Sequence, residues 1–264
     1  MNRPLVMGII NLTPDSFYEG SRFQGTGAVL EQAAAMLEQG ATILDLGAQS
    51  TRPGSARLNS DEEWARLAEP LEALNRRFPD ACVSVDTYHA AVAARAVEAG
   101  ASLVNDISGG SFDKDMIHTV AGLGVPFICM HVKGQPETMH QNPQYTDVTQ
   151  EVLDYFIVKT AECKLAGIHD VIIDPGFGFS KTAAHNFELM KNLQVFKMLD
   201  KPLLAGISRK STVYKTLSVT AAEALNGTTV LNTICLLNGA NILRVHDVKE
   251  AVEAVKLVEA YNGF

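Results

Sequence analysis

A chain of 264 residues with a formal net charge of −8 lacks the basic excess expected of a general nucleic-acid-binding surface. No apolar run approaches the ~20 residues that span a bilayer, and the first residues do not resemble a signal peptide, so we expect no membrane contact. The hydrophobic share of 47% can bury a sizeable core, and four cysteines without CxxC spacing favour a reduced compartment, the cytoplasm, over a disulfide framework.

Short apolar runs typical of buried strands alternate with amphipathic runs typical of helices along the chain. The predicted strands are 5–10, 42–46, 82–85, 102–105, 126–130, 171–173, 202–205 and 241–245. Helices are predicted at about 27–39, 113–122, 147–165, 184–199, 220–238 and 248–261. Two more flank the third predicted strand: one begins near residue 60, before that strand, and one ends at residue 98, after it. Gly40 is expected to end the first helix, Ser60 and Glu63 to form a capping box, and Asp247 to cap the last helix.

The alternation amounts to eight strand–helix units, at a period of roughly 30 residues, which predicts an α/β fold of the (β/α)₈ barrel type. Continuous apolar strands suit a parallel sheet that helices cover on its outer face. A doubly wound open sheet is the structural alternative, and the absence of GxGxxG after the first strand counts against it. No composition shift marks a boundary, so we predict a single domain over residues 1–264.

Polar residues concentrate where the predicted strands end, which is where the active site of such a barrel lies. They are Asn11, Asp86, Asn105, Asp106, His131, Lys133, Asp174, the 208–211 run, Arg244, His246 and Asp247. The strand starts carry mostly small or apolar residues instead. This segregation predicts a binding site at one mouth of the barrel.

The acidic part of this set should face a flat, donor-rich ligand. Asp86, Asn105 and Asp174 follow nearby strands, and their oxygens can accept from the N–H groups of an edge such as an aminopyrimidine. A single Asp at a strand end is often a helix N-cap, which is the alternative for Asp86 and Asp174. On spacing alone, the alternative for Lys210 is the Schiff-base lysine of an aldolase.

The basic part should face an anion. Arg52, Arg244 and His246 come from the ends of the second and eighth strands and suit the oxygens of a phosphate. Asn11 ends the intervening strand and can join this subsite or hold a Mg²⁺ that bridges phosphates. Arg52 is alternatively a solvated loop charge, and solvation is the expectation for Lys133 and Arg209. His131 is alternatively a satisfied strand-end histidine, and the lack of HxH on the first strand argues against a metallohydrolase.

Seven segments resemble the dihydropteroate synthase family. They are NLTPDSF (11–17), STRPG (50–54), SVDT (84–87), NDISGG (105–110), DPGFGF (174–179), SRKS (208–211) and RVHDV (244–248). They occur in the family's order over nearly the full chain, and STRPG, SRKS and RVHD are specific in combination. The resemblance implies a homodimeric (β/α)₈ enzyme of folate synthesis. It would join 6-hydroxymethyl-7,8-dihydropterin pyrophosphate to 4-aminobenzoate with Mg²⁺, releasing 7,8-dihydropteroate and pyrophosphate.

The resemblance also implies roles for residues that match the family's motifs. For the pterin these are Asp86, Asn105, Asp174 and Lys210, with Met130 and Phe179 along its faces or the pocket wall. For the pyrophosphate they are Asn11, Arg52, Arg244 and His246, with Asn11 also towards the metal; for 4-aminobenzoate they are Phe17, Thr51, Pro53 and Ser211. Asp86, Asp174, Lys210 and Arg244 are our candidates for catalysis.

The chain departs from the family's commoner pattern outside these positions. Gln49 stands where Glu is expected, Tyr18-Glu19 replaces Ser-Asp, 212–214 replaces an aromatic-aliphatic-Gly run, and Ala224 replaces a basic residue. We expect effects on loop motion and on the dimer surface near the seventh helix. We predict a dissociative substitution; a pterin-dependent methyltransferase with a corrinoid partner and a catalytically silent pterin-binding barrel are the rival hypotheses.

Overall fold

Eight parallel strands alternate with helices through the computed structural model, which describes residues 3–12, 22–49, 57–134 and 143–263. The strands are β1 (Leu5–Asn11), β2 (Ile43–Gly47), β3 (Cys82–Asp86), β4 (Leu103–Asp106), β5 (Phe127–Met130), β6 (Val171–Asp174), β7 (Leu204–Ala205) and β8 (Ile242–Val245). The α-helices are α1 (Arg22–Glu38), α2 (Ser60–Arg77), α3 (Ala90–Glu98), α4 (Met116–Leu123), α5 (Val148–Ala166), α6 (Ala183–Lys191), α7 (Ser211–Leu217), α8 (Leu225–Leu237) and α9 (Val248–Asn262). A 3₁₀ helix over Leu193–Leu199 links α6 to β7.

The strands pair in the order β6-β5-β4-β3-β2-β1-β8-β7, so sequential neighbours pair and β1 also pairs with β8. A parallel bridge between Ile173 and Leu203 links the two outer strands, and Ile173 N donates to Pro202 O over 2.9 Å. The nearly closed ring confirms the predicted (β/α)₈ barrel. The doubly wound alternative is wrong, because its sheet would stay open and reverse its strand order at a switch point.

The barrel interior consists of an apolar layer beneath a polar one. Its apolar layer is formed by Met7, Ile43, Leu103, Ile128, Ile172, Leu204 and Ile242. Because side chains alternate along a strand, residues two positions further on face the same interior, nearer the carboxyl ends. These are Ile9, Asp45, Asn105, Met130, Asp174, Gly206 and Arg244, of which four are polar or charged. The predicted strand-end polar residues therefore lie over a sealed apolar floor.

A larger core fills the space between the strands and the surrounding helices. Phe127, Phe156, Phe177 and Phe196 are fully buried there. Cys129 is buried and Cys82 partly buried, and all four cysteines are free. None of the described helices combines the length and apolarity needed to cross a membrane.

The predicted capping box of Ser60 and Glu63 is wrong. Asn59, not Ser60, accepts from the N–H groups of Asp61 and Glu62, and Glu62 Oε2 accepts from Asn59 N, so the capping box lies one residue earlier. Glu63 is instead buried. Gly40 ends α1 as predicted, with φ at 101°.

Asp247 occupies the position before α9 without capping it. Its two carboxylate oxygens accept from Nε and Nη2 of Arg209, each over 2.8 Å. Arg209 also donates to the carbonyl oxygens of Ala221 and Ala222. The prediction that Arg209 is merely solvated is therefore wrong, and this pair ties the loop after β7 to the start of α9.

The sequence pattern also missed α7. Its residues include β-branched Thr212 and Val213, which are poor helix formers but are buried here against the rest of the fold. The following helix, predicted from about 220, begins at Leu225. Packing rather than local propensity therefore sets the helical pair after β7.

Candidate active site

Arg244 joins the carboxylates of two strands at the centre of the barrel mouth. Its Nε donates to Asp45 Oδ2 over 2.6 Å and its Nη2 donates to Asp86 Oδ2 over 2.7 Å. Asn105 Nδ2 donates to the same Asp45 oxygen over 3.1 Å. One buried network therefore holds side chains of β2, β3, β4 and β8 in a fixed arrangement.

The charges in this network perturb one another because little water reaches them. Burial raises the pKa of Asp86 to about 7, against the opposing effect of Arg244. Burial also acts to lower the pKa of Arg244, but Asp45 and Asp86 more than compensate and raise it. Asp86 does not cap α3, whose N-cap residue is His89. The capping interpretation of Asp86 is therefore wrong, and its carboxylate faces the mouth network.

Asp174 and Lys210 form the opposite side of the mouth. Asp174 is 6% exposed, and its Oδ1 accepts from Gly176 N over 2.8 Å, which stabilises a turn rather than a helix start. Burial raises the pKa of Asp174, and Lys210 is the largest opposing influence. Burial lowers the pKa of Lys210 to about 8, and Asp174 opposes that shift. Asp174 therefore has two interactions: a hydrogen bond to the backbone of its own turn, and a charge interaction with Lys210 at the barrel mouth.

Lys210 also contacts the turn that follows Asp174. Its Nζ donates to Phe177 O over 2.6 Å and lies 4.5 Å from the centre of the Phe179 ring. Phe179 packs on an apolar cluster that Tyr88, Ile107 and Met130 form. Met130 and Phe179 thus share one wall beside the charged groups, as expected for a pocket that holds a flat ring.

The predicted anion side is less completely described. Ser208 Oγ and His246 Nδ1 are 3.0 Å apart, and burial, with Arg244 adding to it, lowers the pKa of His246 to about 4. His246 is therefore neutral near pH 7. Ser211 begins α7 and is half-buried, whereas Asn11 ends β1 beside Gly47 with an exposed side chain.

Four predicted ligand residues lie outside the described part of the chain. They are Phe17, Thr51, Arg52 and Pro53. Their assignments stay predictions. The Tyr18-Glu19 departure lies there too.

Asn11 is the predicted metal ligand. Within the described ranges, His, Cys, Asp and Glu form no group of three that could hold a metal. Mg²⁺ commonly keeps several waters and takes one or two protein oxygens together with substrate phosphates. A single exposed carboxamide oxygen beside an anion subsite fits that mode, and it does not fit a protein-only metal cage.

Asp45 and Lys181 were not identified from sequence as parts of the site. Asp45 is fully buried inside an otherwise apolar strand, and that placement was the available signal. Asp106 accepts from Ser108 N, Ser108 Oγ and Gly110 N, which orders the loop after β4. Lys181 is buried against His131, so the prediction of a satisfied histidine at that strand end is confirmed. Lys133 donates to Glu151 Oε2, so it is ion-paired rather than only solvated.

Three of the departures from the family pattern lie within the described residues. Gln49 Oε1 accepts from Leu58 N over 2.9 Å, so it links the two sides of the second loop at its base. Thr212 Oγ1 accepts from Asn186 Nδ2 over 2.8 Å, and Ala224 is fully buried before α8. None of the hydrogen bonds described around Arg244 involves these three residues.

Comparison with known proteins gives consistent relationships. The model of the family described as pterin binding enzyme matches residues 7–246. Dihydropteroate synthase of Escherichia coli K12 is 42% identical over 262 residues, which is 98% of this chain and 92% of the relative. A structure of Xanthomonas albilineans dihydropteroate synthase with 4-aminobenzoic acid has a TM-score of 0.93 at 34% identity, covering 100% and 94% of the two chains. Another, in complex with 7,8-dihydropteroate, has a TM-score of 0.89 at 32% identity, covering 100% and 95%.

Proposed function

This chain belongs to the pterin-binding enzyme family, and we propose that its barrel mouth carries out the dihydropteroate synthase reaction. The reaction joins 6-hydroxymethyl-7,8-dihydropterin pyrophosphate to 4-aminobenzoate and releases pyrophosphate. The observation that carries the proposal is the Arg244 network, because one cation joins the acidic pterin end to the anion end that includes His246. The Xanthomonas albilineans relatives with 4-aminobenzoic acid and with 7,8-dihydropteroate support the same pair of substrates.

The pterin end would use complementary hydrogen bonds and flat contacts. Asp86, Asn105 and Asp174 offer acceptors, and an amide donor, to the amino-pyrimidine edge. Lys210 lies between Asp174 and the Phe179 ring, where it can donate to a ring heteroatom. Met130 contributes to the adjoining wall.

The phosphate end would combine side chains of β8 with those of the first two loops. Arg244 and neutral His246 supply donors, and Arg52 is proposed to add a second guanidinium. Asn11 would contribute one oxygen to a Mg²⁺ that the pyrophosphate carries. When bound, that ion neutralises negative charge on the leaving group. Phe17, Thr51, Pro53 and Ser211 are proposed to line the 4-aminobenzoate subsite.

We propose a dissociative course for the substitution. The C–O bond breaks first, its electron pair leaves with pyrophosphate, and the methylene carbon becomes part of a cation delocalised over the pterin ring. Carboxylates of Asp86 and Asp174, held in a water-poor mouth, are placed to stabilise that positive charge. The arylamine nitrogen then bonds to the methylene carbon and loses a proton, so no strong base is required to activate it.

Pyrophosphate release from the pterin ester tests this proposal directly. Pyrophosphate release should require Mg²⁺. With 4-aminobenzoate present, the other product should be 7,8-dihydropteroate. Without 4-aminobenzoate, pyrophosphate should be released slowly and the other product should be the pterin carbinol. A strict requirement for 4-aminobenzoate before any pyrophosphate appears would contradict the dissociative course. Methyl transfer to a corrinoid, or no release under any condition, would contradict the proposed reaction itself.

We further propose that the protein is a homodimer. Val230, Ile234 and Leu237 repeat at helical spacing along α8 and are 50%, 38% and 50% exposed, and Leu217 of the adjoining α7 is 49% exposed. A second copy related by two-fold symmetry would cover this continuous apolar strip. Light scattering should give the dimer mass, and Ile234→Glu should give the monomer mass, because the carboxylate would be buried unpaired. A monomer mass for the wild type would contradict the proposal.

A single domain and a cytoplasmic location complete the proposed assignment. The family match over 7–246 and the continuous barrel support one domain. The four free cysteines support a reduced compartment, which we take to be the cytoplasm.

A further inference from the structure

A buried lysine lies behind the wall of the proposed pterin subsite. Lys181 is 8% exposed, and its Nζ lies 2.9 Å from His131 Nδ1. The same ammonium donates to Phe179 O over 3.1 Å and to Gly176 O over 3.2 Å, and is 3.4 Å from His131 O. Lys181 therefore links the end of β5 to both sides of the turn that follows Asp174.

The roles within this pair follow from the charge of the lysine. Burial lowers the pKa of Lys181 to about 7, and Asp174 opposes that shift. In its ammonium form Lys181 has no lone pair, so it donates and His131 presents an unprotonated Nδ1. Burial, with the Lys181 charge adding to it, lowers the pKa of His131 to about 2. The Tyr155 ring packs edge-on against the imidazole, with centroids 4.9 Å apart, and fixes the ring on its other side. Contacts with Lys181 and Tyr155 therefore hold the imidazole of His131 in place.

The turn itself requires glycine at two positions. Gly176, Gly178 and Ser180 all have positive φ, at 71°, 82° and 47°. A Cβ at Gly176 would collide with the carbonyl oxygen of His131, and one at Gly178 would lie 3.0 Å from the Lys210 side chain. Glycine adopts such φ values without strain, whereas Ser180, just after the turn, keeps its φ only because its surroundings hold it.

Two ammonium groups hold it, and they do so from different sides. Lys210 donates to Phe177 O at the mouth, whereas Lys181 donates to Gly176 O and Phe179 O from the interior. The carbonyl groups of Gly176, Phe177 and Phe179 are thus paired with lysines, and Gly176 O also accepts from Phe179 N over 3.1 Å. Asp174 begins this turn and Phe179 ends it, and both face the mouth.

We propose that Lys181 is a positioning residue for the pterin subsite, which holds the 176–179 turn against His131 and so sets the places of Asp174 and Phe179 around the heterocycle. Lys181 does not need to touch substrate for this role. The inference rests on the proposed function, because it assumes that Asp174 and Phe179 contact the pterin. It predicts a defect confined to that substrate.

Lys181→Met tests the role, with Lys133→Met as the matched control. Lys133 is in the neighbouring loop, but its ammonium contacts Glu151 and Gln144 O instead of the turn. In Lys181→Met, KM for the pterin ester should rise about tenfold or more, since a hydrogen-bonded charge is lost. KM for 4-aminobenzoate should change less than about threefold, and Lys133→Met should match the wild type.

Two His131 variants provide a test that tolerates poor folding of Lys181→Met. His131→Leu removes the acceptor and should raise KM for the pterin ester about fivefold, whereas His131→Asn restores an acceptor and should recover most of the affinity. A role limited to folding would lower the active fraction, and hence the maximal rate, without changing KM. Dissociation constants for the bare pterin should follow the same order.

The outcomes separate this inference from the proposed function. A wild-type protein that neither binds pterin nor releases pyrophosphate would contradict the proposed function. A normally active wild type, with unchanged KM for the pterin ester in both folded Lys181→Met and His131→Leu, would overturn the positioning role alone. Equal losses for the two substrates would overturn it as well.

Discussion

Asp45 shows how a single buried carboxylate can organise a binding site. It is fully buried, yet one of its oxygens accepts from both Arg244 and Asn105. Burying a carboxylate is costly unless such partners compensate for the lost water. Its position on β2 therefore fixes two residues proposed to contact different parts of the substrate.

Asp45→Asn should reduce kcat/KM about a hundredfold, or ~2.7 kcal/mol, because Arg244 loses one of its two charged partners and its orientation. Ser84→Ala is the matched control, since Ser84 pairs in register with Asp45 and is also fully buried. The control should stay within about twofold of the wild type, because a lone neutral hydroxyl carries little of the charge network. Steady-state kinetics on both substrates measures this, and a kcat/KM for Asp45→Asn within threefold of the wild type would contradict it.

Ser180 presents a conflict between backbone and side chain. Its φ of 47° disfavours a residue with a Cβ, but its Oγ accepts from Lys133 N over 2.8 Å. Ser180→Ala should lower the free energy of unfolding by ~1 kcal/mol, because it keeps the strain and loses the bond. The free energy of unfolding of Ser180→Gly should lie between those of the wild type and Ser180→Ala, since glycine loses the bond but tolerates this φ. Urea unfolding followed by fluorescence of the single Trp64 measures the order, and a glycine variant less stable than the alanine variant would refute it.

At the scale of elements, the sequence pattern predicted the strands better than the helix ends, α7 and the contacts between loops. Apolar runs identify strands because parallel strands under helices bury both faces. Polar residues at successive strand ends then identified most of the mouth, since all the carboxyl ends meet on one side. Contacts such as Arg209 with Asp247, 38 residues apart, depend on the assembled barrel and leave no local pattern.

The start of α2 illustrates a limit within one element. Asn59 and Ser60 are both good N-cap residues, and each is followed three positions later by Glu. The two possible caps start the helix one residue apart. Which of them forms depends on which glutamate is buried, because a buried glutamate cannot reach back to the cap residue. Burying Glu62 rather than Glu63 would give the alternative cap, and that choice depends on β3 and its loop rather than on α2.

The observed cap makes a simple prediction. Asn59→Ala should lower the free energy of unfolding by ~1 kcal/mol, because Asp61 N and Glu62 N lose their acceptor. Ser60→Ala, the control that sequence alone would have chosen as the damaging change, should alter it by less than ~0.5 kcal/mol. Denaturant midpoints of the two variants test this, and the reverse order would show that the cap lies at Ser60.

At the scale of the whole molecule, ionisable groups buried at the carboxyl-end face link stability to pH. Burial raises the pKa of Asp86 to about 7, of Asp106 to about 6 and of Glu63 to about 8. Unfolded, these acids lose protons near pH 4, so the native state binds more protons at intermediate pH. Their contribution to stability is therefore fully present below about pH 4, falls as pH rises above that value, and is lost once pH has passed the folded-state pKa values of about 6 to 8. His131 and His246, whose pKa values burial lowers, oppose this trend below about pH 6.5.

Glu63→Gln isolates one part of this linkage. Unfolded Glu63 ionises near its ordinary pKa of 4.5, whereas burial, with Asp86 and Asp106 adding to it, keeps the native carboxyl protonated to about pH 8. The wild type should therefore lose stability relative to Glu63→Gln by ~1.4 kcal/mol per pH unit between these values, and by no more above pH 8.

Glu72→Gln provides the control, because it removes a carboxyl from the same helix at an exposed position beside Arg76. Unfolding measured from pH 5 to 9 distinguishes the two variants. A pH-independent difference for Glu63→Gln would mean that native Glu63 is ionised throughout this range.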